Sequence, residues 1–231
     1  MRILISGCSS GIGLAATRRL LHQGHELIGI SRRPPPIEAA GFRWCPADLL
    51  DADDGMAWLV DDLAIEALVH AAGFMHTAYL GALNPAQAQT MWRLHVEAPS
   101  RLVDRLIAQR HPLSRIILVG SRTQQGARGK SAYSASKAAQ QGLVRSWAME
   151  LVGQGVTVNL VAPGPTDTPM LNDPARTGVP PQAPPMGHFI APDEIAAAIE
   201  FLISRDARSI TGQTLTVCAG ASLSASGRMD V

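Results

Sequence analysis

Two spacings of apolar residues alternate along the chain. Short runs, most of them apolar at nearly every position, occupy 2–6, 26–31, 42–47, 67–70, 115–121, 156–162 and 214–217. Between them, apolar residues recur at helical spacing near 12–23, 51–63, 85–110, 132–153 and 192–204. A strand apolar at almost every position, rather than at every second one, is buried on both faces, the condition of a parallel sheet covered by helices. Strict alternation of the two patterns predicts a doubly wound α/β fold: a seven-stranded, mostly parallel sheet with helices on both faces, in a single domain over 1–231. One segment breaks the pattern. Residues 163–192 carry nine prolines, so the segment is neither a regular helix nor an inner strand. It is either a surface loop or, given its place between two strands, a lid or pocket wall. Residues 221–231 remain as a short C-terminal tail.

Composition narrows this picture. A hydrophobic fraction of 46% over 231 residues supports a large core, and a net charge of +1 gives no reason to expect nucleic acid or an anionic membrane as partner. Cys8, Cys45 and Cys218 are odd in number and far apart, the pattern of neither a disulfide framework nor a zinc site. No metal site is expected. The apolar run at the N-terminus breaks at Gly7, too soon for a signal peptide or a membrane span. A cytoplasmic protein is the expectation.

The chemistry starts where the first strand meets the first helix, at Ser6-Gly-Cys-Ser-Ser-Gly-Ile-Gly13. Gly7, Gly11 and Gly13 let the backbone approach a ligand closely, and the helix N-terminus offers unpaired N–H groups to phosphate. Farther on, Tyr133 and Lys137 stand at i and i+4 and so project from one helical face. An ammonium beside a phenol favours the phenolate. Lowering a tyrosine pKa by about 3 units takes roughly 4 kcal/mol, more than an exposed pair supplies, so a second cation is needed.

Gly-x-x-x-Gly-x-Gly followed by Tyr-x-x-x-Lys resembles the short-chain dehydrogenase/reductase family. Other segments agree in order: His70-Ala-Ala-Gly73 stands where the family has Asn-Asn-Ala-Gly, Ser121 ends the fifth strand, and Asn159-Leu-Val-Ala-Pro-Gly164 with Thr168 follows the sixth. The resemblance spans essentially the whole chain. It implies a Rossmann-like NAD(P)-binding domain that interconverts an alcohol and a carbonyl. Tyr133 is then the proton donor or acceptor, Lys137 lowers its pKa and holds the nicotinamide ribose, and Ser121 stabilises the developing alkoxide. Cofactor contacts would come from Gly7, Ser9, Ser10, Gly11, Ile12 and Gly13, from Asp48 and Leu49 near adenine, from Ala71, Ala72 and Gly73, and from Pro163, Gly164, Thr166 and Thr168. Where NAD-dependent members carry a carboxylate at the end of the second strand, this chain has Ser31-Arg32-Arg33. Guanidinium groups match a 2′-phosphate, so NADP(H) is favoured over NAD(H), unless these arginines only solvate a loop.

Two departures stand out. Ser121 lies twelve residues before Tyr133, one fewer than the commonest family spacing. In the helix after the fourth strand, His95 stands where many members carry an asparagine that anchors a relay water. A neutral imidazole can carry that relay, or His95 is a helix histidine satisfied by a backbone carbonyl. Phe74, Met75, His76 and Tyr79, Arg122 and Thr123, and Pro165, Met170 and Leu171 are expected around the substrate, a small-molecule carbonyl compound or alcohol. Arg122 either recognises a carboxylate or phosphate or is an exposed loop arginine. Epimerases and dehydratases of the wider superfamily carry a longer C-terminal part, and enoyl reductases usually space tyrosine and lysine farther apart. A catalytically weak NADP(H) sensor on the same fold is the remaining alternative. Family members commonly pair through the helices corresponding to 85–110 and 132–153, implying a homodimer or homotetramer.

Overall fold

The computed structural model describes residues 1–51, 63–173 and 181–223. Seven strands, β1 (Arg2–Ser6), β2 (Glu26–Ser31), β3 (Phe42–Pro46), β4 (Ala67–His70), β5 (Arg115–Val119), β6 (Thr157–Pro163) and β7 (Thr214–Val217), form one sheet in the order β3-β2-β1-β4-β5-β6-β7. Every neighbouring pair is parallel. Side chains alternate across the sheet and feed two cores. Leu4, Leu68, Ile116, Leu118, Val158 and Leu160 meet Leu102, Leu106, Val144 and Leu151 on one face. Ile3, Ile5, Val69, Ile117 and Val161 meet Ala16, Leu20, Ile195, Ile199 and Leu202 on the other. Each such aliphatic side chain, nearly sealed from water, contributes roughly 1.5–3 kcal/mol.

The helices covering these faces are α1 (Gly11–His22), α2 (Pro85–Trp92), α3 (Ala98–Ala108), α4 (Ser131–Leu151) and α5 (Pro192–Ile203). Two N-termini are closed by their own chain: Asn84 Oδ1 accepts from the Gln87 N–H at 3.1 Å before α2, and Glu194 accepts from the Ala191 N–H at 2.7 Å before α5. The N-terminus of α1 is different. Ser10 precedes it in extended conformation with no side-chain cap, and its first turn holds no acidic residue.

The observed elements depart from the sequence pattern in a few places. The helix expected over 85–110 is divided by a π turn at Arg93–Glu97 between α2 and α3. The strand expected over 115–121 stops at Val119, and Ser121 instead caps a 3-10 turn at Arg122–Gln125. The helix expected over 51–63 falls almost wholly outside the described residues, as do 174–180 of the proline-rich segment and 224–231 of the tail. The two ends of that proline-rich segment are pinched together: the Asp167 N–H donates to Ile190 O at 2.9 Å and the Ile190 N–H to Pro165 O at 3.0 Å.

Candidate functional site

Strand order reverses between β1 and β4, and the crevice at such a switch point lies beyond the carboxyl ends of the strands. A cavity of about 930 Å³ opens there. Every residue expected to contact cofactor lines it, from Gly7 through Thr168, together with Ser121, Tyr133, Lys137 and His95. Phe74, Arg122, Thr123 and Met170 line it as well. His76 does not. It borders a separate hollow of about 140 Å³ against Pro85, Met91 and Ala132, because its backbone N–H turns to the Met91 sulfur at 3.4 Å.

The floor of the cavity is made by close backbone approach. Gly7 has φ +75°, and a Cβ on it would lie 2.7 Å from Ala72 N. A Cβ on Gly13 would overlap Gly7 O. A side chain at Gly7 would press on the backbone of Ala71 and Ala72, and one at Gly13 on Gly7, so only glycine lets these segments meet where α1 begins. The residues present therefore fit a dinucleotide pyrophosphate, which backbone donors and the positive end of a helix receive well.

At the end of the cavity next to β2 the charges are exposed. The Arg32 side chain is 74% accessible and lies 3.9 Å from Asp48. Ser31, expected among the cofactor contacts, spends its hydroxyl on the turn: Oγ–H donates to Arg33 O at 2.7 Å and accepts from Trp44 Nε1–H at 3.1 Å. It fixes the course of the chain at Arg32 and Arg33.

At the other end, Tyr133, Lys137, His95 and His70 are buried. Tyr133, Ser136, Lys137 and Gln140 share the covered face of α4. Lys137 Nζ donates to Val119 O at 2.9 Å and lies 5.9 Å from the centre of the Tyr133 ring. No carboxylate among the described residues pairs with it, and burial lowers its pKa to about 7. Ser121 Oγ accepts from the Thr123 N–H at 3.2 Å and lies 2.9 Å from Thr123 Oγ1.

Two buried histidines stand behind this group, held in opposite tautomers. Because Ser136 gives its one proton to Tyr133 O at 2.8 Å, His95 Nδ1–H donates to Ser136 Oγ at 2.9 Å. Its Nε2 accepts from the Phe74 N–H at 3.3 Å. Burial, then the Lys137 charge, hold the His95 pKa well below its ordinary value. His70 Nε2–H donates to Leu94 O at 3.0 Å, so Nδ1 accepts from Ser6 Oγ–H at 2.9 Å, and Ser6 in turn accepts from the Ala72 N–H at 3.2 Å. Burial lowers the His70 pKa to about 3. A relay through the His95 ring needs an open nitrogen, and both are engaged. Its own carbonyl also accepts, from Gln140 Nε2 at 2.8 Å.

Ser6, Ser136 and Gln140 were not among the residues the sequence pointed to. A signal existed for two of them: Ser136 and Gln140 lie three and seven residues beyond Tyr133, on the face that Tyr133 and Lys137 already define. Gly73 makes room for the arrangement, since a Cβ there would lie 3.1 Å from His95 Nε2 and 3.7 Å from Lys137 Nζ.

Comparison with known proteins agrees with this geometry. The profile of a family described as Enoyl-(Acyl carrier protein) reductase matches residues 7–222. The chain is 33% identical to the uncharacterized oxidoreductase YmfI of Bacillus subtilis over 235 residues, covering 94% of this chain and 97% of that protein. It is 32% identical to the 3-oxoacyl-[acyl-carrier-protein] reductase FabG of Vibrio cholerae over 238 residues, covering 94% and 95%. A solved short chain dehydrogenase/reductase family protein superposes with a TM-score of 0.83 at 32% identity, covering 96% of this chain and 97% of that one. The chain belongs to the short-chain dehydrogenase/reductase family. It is an NAD(P)-dependent oxidoreductase acting between alcohol and carbonyl groups.

Proposed function

We propose that this protein is an NADP(H)-dependent reductase that interconverts a ketone and a secondary alcohol, with a 3-oxoacyl thioester as substrate. The observation that carries the reading is the convergence of Ser121, Tyr133 and Lys137 on the cavity whose floor is the glycine cradle. The thioester comes from the similarity to the Vibrio cholerae reductase. Ketone reduction is preferred to reduction of an enoyl double bond because Tyr133 and Lys137 stand only four residues apart.

Gly7, Gly11, Gly13 and the first turn of α1 hold the pyrophosphate, and Arg32 and Arg33 receive the 2′-phosphate as guanidinium forks. Asp48 borders adenine. Pro163, Gly164, Thr166 and Thr168 seat the carboxamide. A bound reduced nicotinamide supplies the hydride. Ser121 Oγ–H donates to the substrate oxygen, holding it beside the Tyr133 phenol, which gives its proton to that oxygen as it becomes an alcohol. Lys137 Nζ, with one donor on Val119 O, turns its others to the ribose hydroxyls and favours the phenolate left behind. His95 positions this group, tying the start of α4 through Ser136 to the backbone of Phe74 on the substrate side. The chain works as one unit and pairs with a second copy along α2–α3 and α4, where Trp92 (44%) and Met149 (71%) are left exposed.

The test is an NADPH titration followed by turnover of a panel of ketones that includes acetoacetyl thioesters. The expected result is NADPH oxidation with a thioester and tighter binding of NADPH than of NADH. NADPH binding without turnover of any carbonyl or alcohol would replace this reading with that of a cofactor sensor.

A further inference from the structure

The substrate side of the cavity has a mouth made by two loops fastened to each other. The Ala78 N–H donates to Gly129 O at 2.9 Å, and Ala78 pairs with Lys130 in a short parallel bridge. This joins the loop after β4 to the loop between Ser121 and Tyr133. On the joined rim the Arg128 guanidinium lies over the Tyr79 ring, 5.5 Å from its centre. Stacking of this kind fixes a long side chain while leaving its edge N–H groups to a ligand. Arg122, Arg128 and Lys130 all line the cavity.

Charge on this rim is one-sided. Among the described residues lining the cavity the single carboxylate is Asp48, which sits at the adenine end near Arg32. Neither Arg122 nor Arg128 is paired with a carboxylate among the described residues. The whole chain has a net charge of only +1, so three cations on one rim are a local concentration and not the echo of a basic protein. Guanidinium groups with no carboxylate partner among the described residues, at the mouth of the pocket, favour an anion on the part of the ligand that stays outside.

Resting on the thioester reading above, we propose that the Arg122–Arg128–Lys130 rim is the recognition site for the phosphate of a 4′-phosphopantetheine arm, with Arg128 as its principal contact. The acyl end enters the pocket toward Ser121 and Tyr133, while the phosphorylated end rests on the rim. The same phosphate occurs in coenzyme A and on an acyl carrier protein.

Binding and turnover separate the rim from the reading beneath it. Calorimetric titration of the NADPH-loaded protein with 4′-phosphopantetheine and with pantetheine should give at least tenfold tighter binding of the phosphorylated compound, weakening as salt rises. Arg128→Glu should remove that difference, and Arg128→Lys should restore part of it. Arg128 is exposed, so folding is checked simply by an unchanged NADPH affinity. Equal binding of the two compounds by the wild type, or a difference that survives Arg128→Glu, overturns the rim. In turnover, Arg128→Glu should raise KM for acetoacetyl-CoA about tenfold more than for the uncharged acetoacetyl N-acetylcysteamine thioester. Failure of both thioesters to turn over defeats the substrate reading, while the binding comparison still decides the rim. An acetoacetyl acyl carrier protein assayed beside the CoA ester tells which carrier is preferred: the lower KM identifies it, and a loss on Arg128→Glu with either one supports the rim.

Discussion

The two ends of the cleft both present cations and use them differently. Arg32, at the adenine end, is 74% exposed and close to a carboxylate. Lys137, at the reacting end, is buried, has one backbone carbonyl as its recorded partner, and has a pKa of about 7. The first charge stays in water. Its removal from water makes the second charge responsive, so that whatever binds beside it shifts its proton. Position relative to solvent, more than residue type, sets the task.

The strongest blow to this division is Tyr133→Phe, which should cut turnover by ~10³-fold while leaving NADPH affinity within about twofold of wild type, read by steady-state assay and fluorescence titration. Retained turnover would remove Tyr133 from the chemistry. Lys137→Met comes next and carries a signature in stability as well as a loss of activity. The folded pKa, about 7, lies below the unfolded value near 10.5. The folded state therefore binds fewer protons between those limits, and this group makes wild-type stability rise with pH across about 7 to 10.5. The variant should lose that rise and be more stable than wild type below pH 7 by up to ~5 kcal/mol, in urea unfolding followed across pH. An unchanged slope would mean that Lys137 keeps its charge in the fold.

A smaller effect is expected at His95. A glutamine there reaches the Phe74 N–H, and an asparagine reaches Ser136, so each variant keeps one arm of the tie. Each should lower kcat by ~10-fold without moving the pH–rate profile. Loss of the acidic limb would instead make the imidazole a proton carrier. Smallest is Arg32→Ala, expected to weaken NADPH about fivefold, ~1 kcal/mol, with NADH within about twofold. Equal losses for both dinucleotides would leave the cofactor preference without its cause.

How much of this was legible beforehand follows the range of the interactions. Strand positions were readable because a strand buried on both faces must be apolar at nearly every residue, as β5 and β6 are. The glycine cradle was readable because only its residue types permit the approach of Gly7 to Ala72. The π turn at 93–97 was not: nothing in Arg-Leu-His-Val-Glu differs from ordinary helix. The π turn is braced by partners distant in sequence, with His95 held by Ser136, Phe74 and Gln140, and Leu94 O by His70. The early stop of β5 escaped for the same reason, since Val119 O is taken by Lys137. That His76 borders the smaller hollow was not readable either, because the direction of its loop depends on Met91, a partner fifteen residues away.

The pinched ends of the proline-rich segment have a consequence for how such an enzyme changes. With Ile190 nearly sealed from water and bonded to both Pro165 and Asp167, the sheet and α5 are anchored independently of what lies between. Doubling the intervening length would add only about 0.6 kcal/mol of closure entropy. The stretch is therefore an exchangeable cassette: insertions, deletions and new side chains there can redraw the ligand range over generations while the folding of the rest goes on undisturbed.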